Sequence, residues 1–208
     1  MSNVFPKYND RYMEQNNLDQ RQDFGGRISK KEKGQGFFSE IIKFTLLAVF
    51  LVLPFRIFIA EPFIVSGSSM EPSFQSGNYL IIDKLSYRLG DPKRGDAIVL
   101  RYPLDKSRFF IKRIIGLPEE TITMTDGDVY ISKNDGEKEE KIEEPYLKNK
   151  TVENFSVSLG EREYFVMGDN RPVSLDSRSW GVLERSFIKG KPVLRLLPIT
   201  KAEVNPGK

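Results

Sequence analysis

A long apolar stretch separates a polar N-terminal segment from the rest of the chain. Residues 1–36 are rich in Asn, Gln, Lys and Arg and predict a disordered tail, because so few large apolar side chains cannot form a core. Residues 37–60 are mainly apolar, and residues 44–55 carry no charge. A helix of about 20 such residues spans a bilayer, so this stretch predicts one transmembrane helix, with a core helix as the alternative.

Positive charge is distributed unevenly around this stretch. The cations that precede or open it are Arg27, Lys30, Lys31, Lys33 and Lys43, whereas no Lys or Arg follows Arg56 until Lys84. The positive-inside rule then places the N-terminus in the cytoplasm and residues 61–208 on the far side of the membrane. The sequence therefore predicts a single-pass protein of the cell membrane with an extracytoplasmic domain.

After residue 61 the apolar residues occur in short runs bounded by Gly and Pro, which is the pattern of β-strands. The runs with this pattern are 78–84, 96–102, 108–117, 155–157, 164–167 and 191–197. Residues 121–132 predict a hairpin that turns at Asp126 and Gly127, and the charge-dense residues 133–150 predict an exposed loop or a small insert. No helical period of similar strength follows, so the sequence predicts a mainly β domain.

The composition narrows the chemistry that this domain can perform. The chain of 208 residues contains no His and no Cys, and its formal net charge is +3. A Cys nucleophile, a His base, a disulfide framework and the commonest transition-metal ligands are therefore excluded, and the small charge indicates no polyanionic partner. A serine nucleophile in this chain needs a lysine, a carboxylate or a tyrosine as its base.

Two stretches carry candidates for such a pair. Residues 66–72, SGSSMEP, place hydroxyl groups beside small residues that let a substrate approach, although the same letters are typical of an ordinary turn. Lys112 shares a predicted strand face with Phe110 and Ile114, and burial among apolar groups would lower its pKa toward that of a base. The alternative leaves Lys112 on an edge strand with its ammonium group in water.

Residues 168–178, GDNRPVSLDSR, form a third candidate stretch after a predicted strand. Their composition is typical of a turn. Asp176 and Arg178 could pair to hold this loop, and Ser174 could orient the lysine as a neighbouring hydroxyl. The local sequence leaves both interpretations open.

In this order, and after one apolar segment, these stretches resemble the type I signal peptidases. The resemblance rests on SGSSMEPSF at 66–74, RGDAIVL at 94–100, FIKRIIGLPEE at 110–120 and GDNRPVSLDSR at 168–178. It implies a domain of coiled antiparallel β-sheets with a small variable β insertion at about 119–165, preceded by one transmembrane helix. It also implies a membrane-bound serine endopeptidase that removes signal peptides from exported preproteins at the surface of the lipid bilayer, after small residues at −1 and −3. No cofactor, metal or nucleic acid is implied.

The resemblance assigns roles by position. Ser69 matches the nucleophile and Lys112 the general base, which together form an acyl-enzyme intermediate. Ser174 matches a hydroxyl that orients the lysine, and Asp176 and Arg178 match a supporting salt bridge.

Substrate recognition is implied in the same way. The Ser69 N–H matches one oxyanion donor, whereas Gly67 stands where some members of the family carry a serine that supplies a second. Asp169 matches a structural position. The positions that match the shallow apolar substrate pockets are Phe63, Val65, Phe74, Phe110 and Ile111.

Two other classes of protein fit parts of the pattern. A Ser-Lys autoprotease of the LexA-like repressors shares the dyad, but a DNA-binding helical domain should then precede the serine. A membrane-tethered β domain that only binds partners would not need a reactive Ser69.

Overall fold

The computed structural model describes residues 33–54, 59–133 and 139–207. The helices are α1 (Lys33–Pro54), α2 (Ser86–Leu89) and α3 (Ser177–Trp180), with 3-10 turns at Arg171–Val173, Arg185–Phe187 and Ile199–Lys201. The strands are β1 (Ala60–Ile64), β2 (Tyr79–Asp83), β3 (Ala97–Tyr102), β4 (Asp105–Gly116), β5 (Thr121–Thr125), β6 (Asp128–Ser132), β7 (Glu140–Lys141), β8 (Phe155–Ser158), β9 (Glu163–Met167), β10 (Leu183–Glu184), β11 (Ile188–Leu197) and β12 (Glu203–Val204). The mainly β, antiparallel class that the sequence predicts is confirmed.

Helix α1 contains most of the apolar stretch that the sequence singles out. It begins within the last four residues of the predicted tail, and residues 1–32 lie outside the described residues. The last residue of the predicted helix of 37–60 is placed wrongly, because Ala60 pairs with Asp83 as the first residue of β1. Residues 55–58 lie outside the described residues. Within residues 33–54, 59–133 and 139–207, no helix has both the length and the hydropathy of a membrane span.

One antiparallel sheet organises the β region. Its strand order is β1-β2-β11-β3-β4-β9-β10, and β12 pairs with β11. The central strand β3 has a core on each face: Ile98 and Leu100 pack in one cluster, whereas Ala97 and Val99 pack in another. Burial on both faces explains why this strand reads as a continuous apolar run rather than as an alternation of apolar and polar residues.

The strands β1 and β4 leave a groove between them. Within the part of the chain that the structure describes, β1 pairs only with β2, and residues 109–112 of β4 pair only with β3. The rings of Phe63 on β1 and Phe109 on β4 meet edge to face, with centroids 5.4 Å apart. A cavity of about 160 Å³ lies between the two strands. Each strand therefore offers a backbone edge to an extended chain in the groove.

A second antiparallel sheet is inserted between β4 and β9, with the order β7-β6-β5-β8. Its first hairpin turns at Asp126 and Gly127, whose φ angles of 51° and 83° suit the tight turn that the sequence predicts. The sheet lies within the predicted insertion of about 119–165. That range also includes residues 163–165 of β9, which pair with β10 and β4 and belong to the main sheet.

Candidate active site

Ser69 lies on the loop that follows β1, between two anchored residues. Val65 and Met70 are buried in the core, and the Gly67 φ of 102° lets the chain turn between them. The Asn170 N–H donates to the Ser69 carbonyl oxygen at 3.0 Å, which ties this loop to the one after β9. The backbone beneath the half-buried Ser69 hydroxyl is therefore held from two directions.

Lys112 reaches Ser69 from β4. Its Nζ donates a hydrogen bond to Ser69 Oγ at 2.6 Å. The lysine is only 2% exposed, and its Nζ lies 5.3 Å from the centre of the Phe110 ring. Burial lowers the pKa of Lys112 from 10.5 to about 8, although the carboxylates of Asp176 and Asp169 act in the opposite direction. The serine hydroxyl thus contacts an amine that loses its proton far more easily than an exposed lysine does.

The predicted ion pair between Asp176 and Arg178 is present behind this dyad. Asp176 is fully buried and accepts from Arg178 Nε at 2.8 Å, from Arg178 Nη2 at 2.9 Å and from the Gly168 N–H at 3.0 Å. Burial alone would raise the pKa of Asp176, but these hydrogen bonds lower it, so the group stays a carboxylate. Arg178 also donates to Glu153 at 2.7 Å, which ties the loop to the inserted segment.

Ser174 lies beside this pair rather than on the lysine. Its Oγ is buried and has no hydrogen-bond partner among the described residues. It lies close enough to the Asp176 carboxylate to contribute to the lowered pKa of that acid, but without the geometry of an ordinary hydrogen bond. A lysine-orienting bond from Ser174 to Lys112 is therefore not formed in this structure.

A second buried ion pair, which the sequence analysis missed, fixes the residue after the lysine. Arg113 donates from Nε and Nη2 to the two carboxylate oxygens of Asp169, at 2.8 and 2.6 Å. Its Nη1 donates to the carbonyl oxygens of Gly95 and Gly207, both at 2.7 Å. The alternation of side chains along β4 was a usable signal, because it points Lys112 and Arg113 to opposite faces. It did not identify a partner 56 residues away in the sequence.

Most of the predicted pocket residues line the cavity beside Ser69. Those that line it are Phe63, Val65, Phe110 and Ile111. Phe74 does not: it is fully buried in the core, because its N–H bonds to the Met70 carbonyl and the two side chains pack inward together. Further lining residues, which the sequence did not indicate, are Ile64, Ser66, Leu80, Val99 and Phe109.

Gly168 allows the loop after β9 to pack directly on the dyad. A Cβ atom at this position would lie 2.7 Å from Ser174 Cβ and would also overlap the Ser69 carbonyl oxygen. We expect Gly168→Ala to lower kcat/KM by about 100-fold, because a displacement near 1 Å in a catalytic group has that effect. Cleavage kinetics of the folded variant measure this.

The control for that experiment is Gly90→Ala, since a Cβ there meets only the Ser86 carbonyl oxygen at 3.7 Å. Equal activity in the two variants would show that the close packing against Ser69 does not position the nucleophile.

Known proteins resemble this chain over most of its length. The family model "Signal peptidase, peptidase S26" matches residues 38–197. A probable signal peptidase I-2 of Synechocystis is 35% identical over 182 residues, covering 83% of this chain and 80% of that protein. Signal peptidase I T of Bacillus subtilis is 40% identical over 171 residues, covering 76% of this chain and 85% of that protein. Signal peptidase I of Bacillus licheniformis is 34% identical over 174 residues, covering 78% and 90% respectively.

Proposed function

The chain belongs to the signal peptidase family, peptidase S26, and is a serine peptidase that removes signal peptides; we propose that Ser69 is its nucleophile and Lys112 its general base. The observation that carries this proposal is the 2.6 Å hydrogen bond between Lys112 Nζ and Ser69 Oγ, made by a lysine that is buried. The chain contains no histidine that could take the place of the amine.

The lowered pKa makes Lys112 a usable base near neutral pH. With a pKa of about 8, roughly one tenth of the lysine is neutral at pH 7, so deprotonation costs about 1.4 kcal/mol. At the ordinary value of 10.5 the same step would cost almost 5 kcal/mol, at about 1.36 kcal/mol per pKa unit. Activity should therefore rise with pH through about 8.

The proposed reaction proceeds in two stages. Neutral Lys112 accepts the proton of Ser69 Oγ as the oxygen attacks the scissile carbonyl carbon, and the lysine then donates that proton to the departing amine. In the second stage neutral Lys112 takes a proton from water as the water oxygen attacks the acyl carbon. The bond between that carbon and Ser69 Oγ then breaks, Lys112 returns the proton to Ser69 Oγ, and the new carboxyl group leaves with the product. The Ser69 N–H has no acceptor among the described residues and is therefore available to the oxyanion.

The groove between β1 and β4 supports the proposal of an extended substrate. A peptide in this groove can hydrogen-bond to the open edges of both strands, as in β-strand addition. Residue-specific recognition then comes from alternate side chains, which enter the cavity of about 160 Å³ beside Ser69. A cavity of this size suits small side chains at the −1 and −3 positions of the cleavage site.

Widening this cavity should relax the preference for small residues. Ile111 is half-buried and lines the cavity, so we expect Ile111→Ala to lower the ratio of kcat/KM between Ala and Val substrates about tenfold. The measurement is a competition between two preproteins that differ only at −1 or −3. Ile64→Ala is the control, because Ile64 also lines the groove but is 68% exposed. An unchanged ratio in Ile111→Ala would contradict the assignment of the pocket.

We also propose that the apolar N-terminal segment anchors the protein in the cell membrane, with the β domain outside the cytoplasm. The distribution of Lys and Arg around residues 37–60 supports this topology. The apolar side chains of α1 are exposed, among them Phe44, Leu47 and Phe50, which a lipid environment would cover. Extraction of membranes at alkaline pH tests it: the full chain should stay in the pellet, and a chain beginning at residue 60 should be released.

Cleavage of a model preprotein by the purified full chain tests the proposed function. We expect a single cut after a small residue at −1 and no cut when Trp replaces that residue. An autoprotease would instead cleave its own chain at a rate independent of concentration, and a binding domain would cleave nothing. Either outcome would contradict the proposal.

A further inference from the structure

A second cavity, of about 340 Å³, lies beside the substrate groove and is rich in positive charge. We call it the basic cavity. Its charged lining residues are Glu61, Lys84, Arg88, Arg101 and Lys189, and Tyr87 and Phe109 are its aromatic ones. They come from several elements of the fold, namely β1, α2, β3, β4 and β11, together with the residue after β2. Four cations and one carboxylate from distant parts of the sequence therefore lie on one concave surface.

Two of these cations, Arg101 and Lys189, lie outside the ion pairing of the cavity. Glu61 pairs with Lys84, with Nζ and Oε2 3.2 Å apart. Neither Arg101 nor Lys189 has a carboxylate within salt-bridge distance among the described residues. The Arg101 guanidinium instead lies over the Phe109 ring, 5.5 Å from its centre. Two cations thus face the cavity without an anionic partner.

The titration of Lys189 reflects this excess of positive charge. Burial lowers the pKa of Lys189, repulsion from Arg101 and Lys84 lowers it further, and Glu61 opposes the shift. Cations of several elements that repel one another bind an anion more favourably than isolated cations do, because the anion relieves the repulsion.

The basic cavity lies at one end of the substrate groove, beside the first strand that follows the apolar helix. Phe109 lines both the groove and the basic cavity. Glu61 is at the start of β1, and Ser69 follows the other end of this strand, so the cavity lies at the end of the groove away from the dyad. Strand β1 is also the first strand after the apolar helix α1.

We propose that the basic cavity binds the phosphate group of an anionic phospholipid. The inference rests on the proposed function through its membrane anchor, which would bring the start of β1 close to lipid headgroups. Arg101 and Lys189 would contact the phosphate oxygens, and Lys84 would remain shared between the phosphate and Glu61. A bound headgroup would hold the entrance of the substrate groove against the membrane surface.

Lipid titration of the full chain in neutral detergent tests this proposal. We expect saturable binding of short-chain phosphatidylglycerol. The double variant Arg101→Gln, Lys189→Gln should bind it about 30-fold more weakly, since each cation near an anionic headgroup contributes roughly a fivefold factor. The control variant Lys93→Gln, Lys148→Gln removes the same charge from two exposed positions outside the cavity and should bind as the wild type does.

Separate arms of the experiment identify the source of the phosphate. Inorganic phosphate and soluble glycerophosphoglycerol should bind far more weakly than the lipid. If these soluble compounds instead bind as tightly as the lipid, and Arg101→Gln, Lys189→Gln abolishes their binding, the cavity is an anion site whose ligand is a soluble phosphate. An equal loss of lipid binding in both double variants, or no loss of lipid binding in either, would overturn the proposal. Preprotein cleavage in the same detergent should be unchanged in both variants, so a failure of the lipid site is distinguishable from a failure of the Ser69–Lys112 mechanism.

Discussion

Lys112→Met and Ser69→Ala should each reduce preprotein cleavage by at least about 1,000-fold, because one removes the proposed base and the other the proposed nucleophile. Methionine preserves the length and apolar stem of the lysine, so the groove keeps its shape. The Ser69→Ala change removes a single oxygen atom. Initial rates of cleavage at saturating and at limiting substrate separate the loss of kcat from any change in KM.

The double variant Ser69→Ala, Lys112→Met tests whether the two residues act as a unit. Since every step proposed for the lysine requires the Ser69 hydroxyl or the acyl-enzyme that this hydroxyl forms, Ser69→Ala combined with Lys112→Met should be no slower than Ser69→Ala alone. Lys93→Met is the control for the loss of a lysine, because Lys93 is exposed and lies outside the groove. Additive losses, or turnover close to wild type in either single variant, would show that the two residues do not act as a unit.

Lys112→Met should also stabilise the folded protein while it abolishes activity. The pKa of Lys112 falls from 10.5 to about 8 on burial, so keeping the ammonium form in the folded state costs about 3 kcal/mol. Below about pH 8 the lysine is protonated in both the folded and the unfolded states, and the full penalty is present. The variant should therefore have a free energy of unfolding about 3 kcal/mol higher at pH 7.

The pH dependence of this gain identifies its cause. As pH rises from about 8 to 10.5, the folded state loses the proton first, so the penalty and the gain from the substitution both decline. Urea unfolding of the full chain in detergent micelles, compared between wild type and variant at each pH, measures the difference. A gain that does not change with pH would indicate improved packing instead, and Lys93→Met should show no gain.

The sequence alone predicts the parts of the site that depend on local alternation. Along β4 a period of two places Lys112 with Phe110 and Ile114 on one face, and the structure resolves the open choice between a buried and an exposed lysine: Lys112 and Ile114 are buried and Phe110 is half-buried. The hairpin at Asp126 and Gly127 follows from residues that tolerate positive φ. Both features are decided by neighbours in the chain.

Features that depend on distant residues could not be predicted in the same way. The pairing of Arg113 with Asp169 joins residues 56 positions apart, and only the tertiary fold brings them together. Phe74 belongs to the core rather than to the substrate pocket because it packs with Met70. The basic cavity collects its cations from strands that are adjacent only in the folded sheet.

Titration of the Lys112 amine tests most directly whether this lysine can act as the general base. The full chain, with ¹³C-labelled lysine side chains and in detergent micelles, can be followed by NMR from pH 6 to pH 12, with Lys112→Met identifying the signal. We expect the signal missing from the variant to titrate at a pKa of about 8. A pKa near 10.5 for that signal would mean that the amine stays charged beside Ser69 at neutral pH, and would contradict its role as the base.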